Sequence, residues 1–103
     1  MLVEIRKYEI ESGRRDEFVD WFEKDVLPAM ERAGMEILGL FVDVADPDVF
    51  FYLKGFESEA ERDRINAAFY NSDLWLNTMR DRALEMETGY EVALVRSTDG
   101  SRI

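Results

Sequence analysis

The sequence predicts an α+β domain with helices on one face of an antiparallel four-stranded sheet. The element order is β-α-β-β-α-β, with the second helix broken. Three observations predict it. Strand-like and helix-like apolar patterns succeed one another along the chain in that order. Two apolar runs are separated only by Asp46-Pro47-Asp48, which reads as the turn of a hairpin. Asn71-Ser72-Asp73 interrupts the second helical pattern. With 103 residues, one domain is expected over residues 1–97, followed by a loose tail at 98–103.

Leu2 to Ile10 is rich in β-formers, with charges interleaved, and reads as the first strand. Ser12-Gly13 ends it, and Ser12 is placed to cap the following helix. From Arg14 to Ala33, the spacing of Phe18, Phe22, Val26 and Ala29 puts them on one helical face. Pro28 lies within that pattern and brings no amide donor, so an interruption is expected there. Gly34 suits the left-handed position beyond the helix end. Glu36 to Ala45 and Val49 to Phe56 read as the hairpin strands. Ser58-Glu59-Ala60-Glu61 has the form of a capping box and opens the second helix. Its apolar stripe is Ile65, Ala68 and Phe69. After the break, Leu76, Met79 and Ala83 continue a helical face. Thr88 to Ser97 alternates Tyr90, Val92 and Leu94 and reads as the last strand. This order is that of the ferredoxin-like split βαβ arrangement.

Composition removes several kinds of chemistry. The formal net charge of −10 repels phosphate backbones and anionic headgroups, so neither nucleic acid nor a membrane surface is an expected partner. With no cysteine there is no disulfide, thiolate nucleophile or Cys-ligated metal, and with no histidine the commonest general base and metal ligand are missing. Asp43, Asp46 and Asp48 cluster at the hairpin, but turn propensity explains them better than a calcium loop does. No metal and no cofactor is expected. The N-terminus lacks the pattern of a signal peptide, and a cytoplasmic location is expected.

The second and third strands do not alternate. Ile37, Leu38, Leu40, Phe41, Val42 and Val44 point to both faces, as do Phe50 to Leu53. Helices cover one face, and the other would expose a large apolar patch. The simplest cover is the same face of a second copy, giving a homodimer. The alternative is a monomer in which a bent helix or the tail shields that face.

Glu4-Ile5-Arg6-Lys7-Tyr8 followed by Gly13 and Phe18 resembles the opening of the NIPSNAP family. Phe56-Glu57-Ser58 with Ala60-Glu61-Arg62, and Asn71-Ser72-Asp73 with Trp75, are similar to its third strand, helix start and helix break. The resemblance runs from residue 2 to about 96 and implies a dimeric α/β barrel, in which two four-stranded sheets close around each other. That group holds cofactor-free oxygenases, haem-degrading enzymes, isomerases, lyases and non-catalytic binders. The resemblance carries no catalytic motif, and the histidine that haem-binding members generally use is missing.

Tyr8, Trp21, Tyr52, Phe69, Tyr70, Trp75 and Tyr90 form an aromatic set suited to line an apolar cleft. Arg6, Asn66, Asn77 and Arg80 are the candidate polar contacts. The candidate pocket is Arg6, Tyr8, Tyr52, Asn66, Trp75 and Tyr90. Any catalysis would rest on carboxylates, tyrosines, asparagines or arginines, with a buried carboxyl of raised pKa as proton acceptor. Two readings stay open. One is a homodimeric barrel binding a small apolar or aromatic molecule, with or without cofactor-independent turnover of oxygenase or isomerase type. The other is a non-catalytic dimeric module for assembly or protein–protein contact.

Overall fold

The structure, a computed structural model, describes residues 1–103. The strands are β1 (Leu2–Ile10), β2 (Glu36–Val42), β3 (Val49–Phe56) and β4 (Glu87–Arg96). All neighbours pair antiparallel in the order β2-β3-β1-β4. The first helical region comprises α1 (Arg15–Trp21), a π-helical turn (Phe22–Val26) and α2 (Leu27–Arg32). The second comprises α3 (Glu59–Tyr70), another π-helical turn (Trp75–Met79) and α4 (Arg80–Met86). This is the ferredoxin-like arrangement, with the second helix broken. No helix is long and apolar enough to cross a membrane.

Ser12 does not cap the first helix. The chain turns between Glu11 and Arg14 with Gly13 at φ +82°, and Arg14 takes the cap position. The interruption expected at Pro28 takes the form of a π turn. The Leu27 amide bonds back to the Phe22 carbonyl, five residues away, just before the residue with no donor. Gly34 has φ +91°, and the Met35 amide reaches back to the Met30 carbonyl at 3.0 Å, closing the helix end. Ser58 does cap α3, its Oγ accepting the Glu61 amide at 3.1 Å. In the second π turn the Arg80 amide bonds to the Trp75 carbonyl. The extra residue rotates the helical face, which leaves Leu76 exposed while Met79 and Ala83 stay buried.

β2 ends at Val42, three residues short of the expected Ala45, because Asp43 turns the chain. Its Oδ1 accepts the amides of Ala45 and Asp46, at 2.9 and 2.7 Å. Arg15 fastens the same loop by donating to the carbonyls of Asp43 and Asp46. Asp46 and Asp48 also accept main-chain amides, from Asp48 and Gly13.

The core lies between the helices and one sheet face. Phe18, Phe22, Val26, Met30, Phe50, Tyr52 and Met86 are each at most 2% exposed. Burying a large apolar side chain of this kind stabilises by about 1.5–3 kcal/mol. Directly paired strand residues share a face. Glu4, Arg6 and Tyr8 therefore face the helices together with Lys54, Tyr52 and Phe50 on one side and with Leu94, Val92 and Tyr90 on the other. The opposite face carries Val3, Ile5, Phe51, Leu53, Ala93 and Val95.

Candidate functional site

The helix-facing side of β1 is apolar at its ends and ionic in the middle. Glu4 is fully buried between Leu2 and Arg6. Its Oε1 accepts a hydrogen bond from Arg6 Nε, and its Oε2 accepts from Arg62 Nε at 2.6 Å and Asn66 Nδ2 at 3.1 Å. Lys54, also fully buried, holds its Nζ 3.8 Å from Glu4 Oε1. That ammonium donates to the Tyr70 hydroxyl at 2.8 Å and to Asn66 Oδ1 at 3.2 Å. The hydroxyls of Tyr8 and Tyr52 lie 2.8 Å apart, and Arg6 Nη1 donates to Tyr8 at 3.5 Å. Strands β1 and β3 and helix α3 thus share one hydrogen-bonded network inside the core.

Burial disfavours the charge on Glu4, but the Arg6 charge and the hydrogen bonds from Arg62 and Arg6 outweigh it and hold the carboxyl at about 2. Burial, with the Arg6 charge next, pushes Lys54 down to about 7 against the pull of Glu4. The hydroxyls of Tyr8, Tyr52 and Tyr70 are raised, first by burial, so all three remain neutral donors at physiological pH.

Above this network a cleft of about 650 Å³ opens between β1 and β4 on one side and α3, the second π turn and α4 on the other. Its aromatic walls are Tyr8, Tyr70, Trp75 and Tyr90, and its polar groups include Arg6, Arg62, Arg80 and Glu87. The rings of Tyr70 and Trp75 meet edge to face at 5.2 Å. Tyr8 and Tyr90, directly paired across β1 and β4, meet the same way at 6.3 Å. Tyr90 is 68% exposed and stands at the mouth. Glu87, the first residue of β4, is raised to about 7 by burial, with the Arg6 charge opposing. Its carboxyl takes part in no hydrogen bond that would lower it.

Of the six candidate residues, Arg6, Tyr8, Trp75 and Tyr90 line this cleft. Tyr52 and Asn66 lie behind its wall, holding Tyr8 and Lys54 respectively. Among the wider set, Tyr70 and Arg80 line the cleft, Trp21 and Phe69 belong to the core, and Asn77 is exposed on the surface away from it. Sequence reasoning passed over Glu4, Lys54, Arg62 and Glu87. A signal was available for the first two. Glu4 has the same strand parity as Leu2, Tyr8 and Ile10, and Lys54 the same as Phe50, Tyr52 and Phe56. A charge at an apolar-face position must find a partner inside.

The fold and this arrangement define a ferredoxin-like α+β protein with a cleft between sheet and helices, set over a buried ionic network. Residues 3–98 match the NIPSNAP family, and the chain belongs to it. An uncharacterised NIPSNAP domain protein from Burkholderia xenovorans superposes with a TM-score of 0.91 at 15% identity, over 100% of both chains. A NIPSNAP family protein from Agrobacterium tumefaciens gives 0.91 at 19% identity, over 99% of this chain and 97% of its own. An antibiotic biosynthesis monooxygenase is more distant, with a TM-score of 0.70 at 17% identity over 95% of this chain and 99% of its own. No curated protein matches the chain.

Proposed function

We propose that this NIPSNAP protein is a cytoplasmic homodimeric barrel whose cleft binds a small apolar or aromatic molecule. The observation that carries the reading is the cleft of about 650 Å³, walled by four aromatic rings and provided with a few convergent polar groups. That combination is the usual form of a small-molecule site. The polar groups are held in advance: Glu4 and Tyr8 fix Arg6, and Tyr52 fixes Tyr8. Such preorganisation lowers the cost of binding. The fold shared with a protein named as an antibiotic biosynthesis monooxygenase supports an oxygenase type of turnover as the catalytic form of this reading.

The homodimer rests on the helix-free face of the sheet. There Ile5, Leu38, Phe51 and Leu53 are only half buried, and Phe41 and Val95 are 51% and 40% exposed. A second copy applied to that face removes the patch from water and closes two sheets into a barrel. Sedimentation at micromolar concentration tests it. The wild type runs as a dimer and Phe51→Asp as a monomer; a monomeric wild type refutes the assembly.

The ligand reading is tested in a Trp21→Phe background, where Trp75 is the remaining indole, with naphthols, indoles and nitrophenols as probes. Saturable quenching accompanied by a rise in Tm supports the cleft as a binding site. If no probe quenches Trp75 or stabilises the protein, the non-catalytic assembly module is the correct reading.

A further inference from the structure

Glu87 and Lys54 stand out among the ionisable groups inside this protein, because each is shifted into the neutral range. Their surroundings differ. Lys54 is fully buried, bonded to Tyr70 and Asn66, and walled off behind Tyr70. It completes a structural network. Glu87 lines the cleft itself. Its position is fixed by the backbone, where helix α4 passes directly into β4 and Glu87 is paired with Ile10 at the bulge between Glu9 and Ile10. A carboxylate so placed, with no hydrogen bond of its own, has its lone pairs free for a proton on a bound molecule.

The charged and titratable groups around it are few. From β1 come Arg6 and Tyr8, from α3 Arg62 and Tyr70, from α4 Arg80, and from β4 Tyr90. Arg6 is tied to Glu4 but still presents its guanidinium to the cleft. The cleft therefore holds one free carboxylate and a cationic wall, lined with aromatic rings.

We propose that Glu87 is a proton acceptor for carbon acids bound in this cleft: flat, aromatic or conjugated molecules with an acidic C–H beside a carbonyl or an equivalent electron sink. This rests on the reading of the cleft as a ligand site. In the step, the substrate C–H bond breaks and its proton forms an O–H bond with the Glu87 carboxylate. The electron pair moves into the conjugated system and its charge settles on the substrate oxygen. Arg6, which lines the cleft, is placed to receive that oxyanion. Return of the same proton to a different carbon completes an isomerisation, with no oxidant or reductant consumed.

Nitrobenzisoxazole is a suitable probe. Loss of its one acidic C–H proton to a base breaks the ring N–O bond and releases a coloured cyanonitrophenolate, so a carboxylate base in an aromatic cleft is read directly. Its binding is measured separately by quenching of Trp75 in the Trp21→Phe background. The wild type is expected to turn the probe over, with a rate that rises as pH increases through about 7, where Glu87 loses its proton. Glu87→Gln should lower the rate by about 100-fold or more while the probe still binds. Lys54→Met, if it folds, should keep the probe reaction and its dependence on Glu87. Bound probe with turnover that Glu87→Gln leaves unchanged, or a wild-type rate independent of pH, overturns the proposal and leaves the binding reading intact. Failure of the probe and of the aromatic panel to bind at all overturns both. Should Glu87→Gln lose its native circular dichroism, Glu87→Ala replaces it in the same assay, with the same expected loss of rate and the same refuting result.

Discussion

Removing the charge of Glu4 is the sharpest test of how this fold is held together. Glu4→Gln keeps the size and shape of the side chain but withdraws the one carboxylate shared by Arg6, Arg62 and Lys54. Breaking a buried ion pair from one side typically costs about 3–5 kcal/mol, because the remaining charge stays buried. Here the three partners differ. Arg62 is 26% exposed and recovers solvation, whereas the side chains of Arg6 and Lys54 are 13% and 0% exposed and do not. The lower part of that range, about 3 kcal/mol, is the expected loss. With a urea slope of about 1.5 kcal/mol per molar, the midpoint falls by about 2 M at fixed protein concentration.

The pH dependence has a defined sign. In the folded chain Glu4 titrates at about 2 against an ordinary 4.5, so its contribution is complete above 4.5 and disappears as the pH falls towards 2. The gap between wild type and Glu4→Gln should close over that window. Lys54 is lowered to about 7 from 10.5, so its burial penalises stability below 7, and the penalty is relieved as the pH rises from 7 to 10.5. In Glu4→Gln that relief should be larger, since the counter-charge has gone. Urea titrations showing a loss under about 1 kcal/mol at neutral pH would refute the account of Glu4 as the network's centre.

Phe18→Ala removes a ring packed against Tyr8, Trp21, Phe22 and Phe50, and should cost about 3–5 kcal/mol in the same urea titration. Gly34→Ala puts a Cβ on a residue at φ +91° and should lower stability by about 1 kcal/mol, although nothing lies within 4 Å of the added atom. A loss near zero there would show that the helix end relaxes. Arg15→Ala frees the loop whose carbonyls at Asp43 and Asp46 it holds, and should raise hydrogen exchange at the Ala45 and Asp46 amides while leaving β1 protected. Unchanged exchange in that loop would show that the Asp43 turn is sufficient alone.

What the sequence determined by itself was the order and character of the elements. β1 and β3 begin and end where their apolar patterns do, and Phe18, Phe22, Val26 and Ala29 form the buried helical stripe that their spacing requires. These features are set by periodicities within a few turns of chain, and side-chain direction follows from them. Tertiary structure decided the partnerships. Glu4 meets Arg62 and Asn66 across 58 and 62 residues, and Tyr8 meets Tyr52 across 44. No local pattern states such distances. Likewise, Glu87 was one acid among 23 until the passage from α4 into β4 set it inside the cleft. A carboxylate's chemistry depends on what excludes water from it and which charges face it, and both are properties of the packed chain.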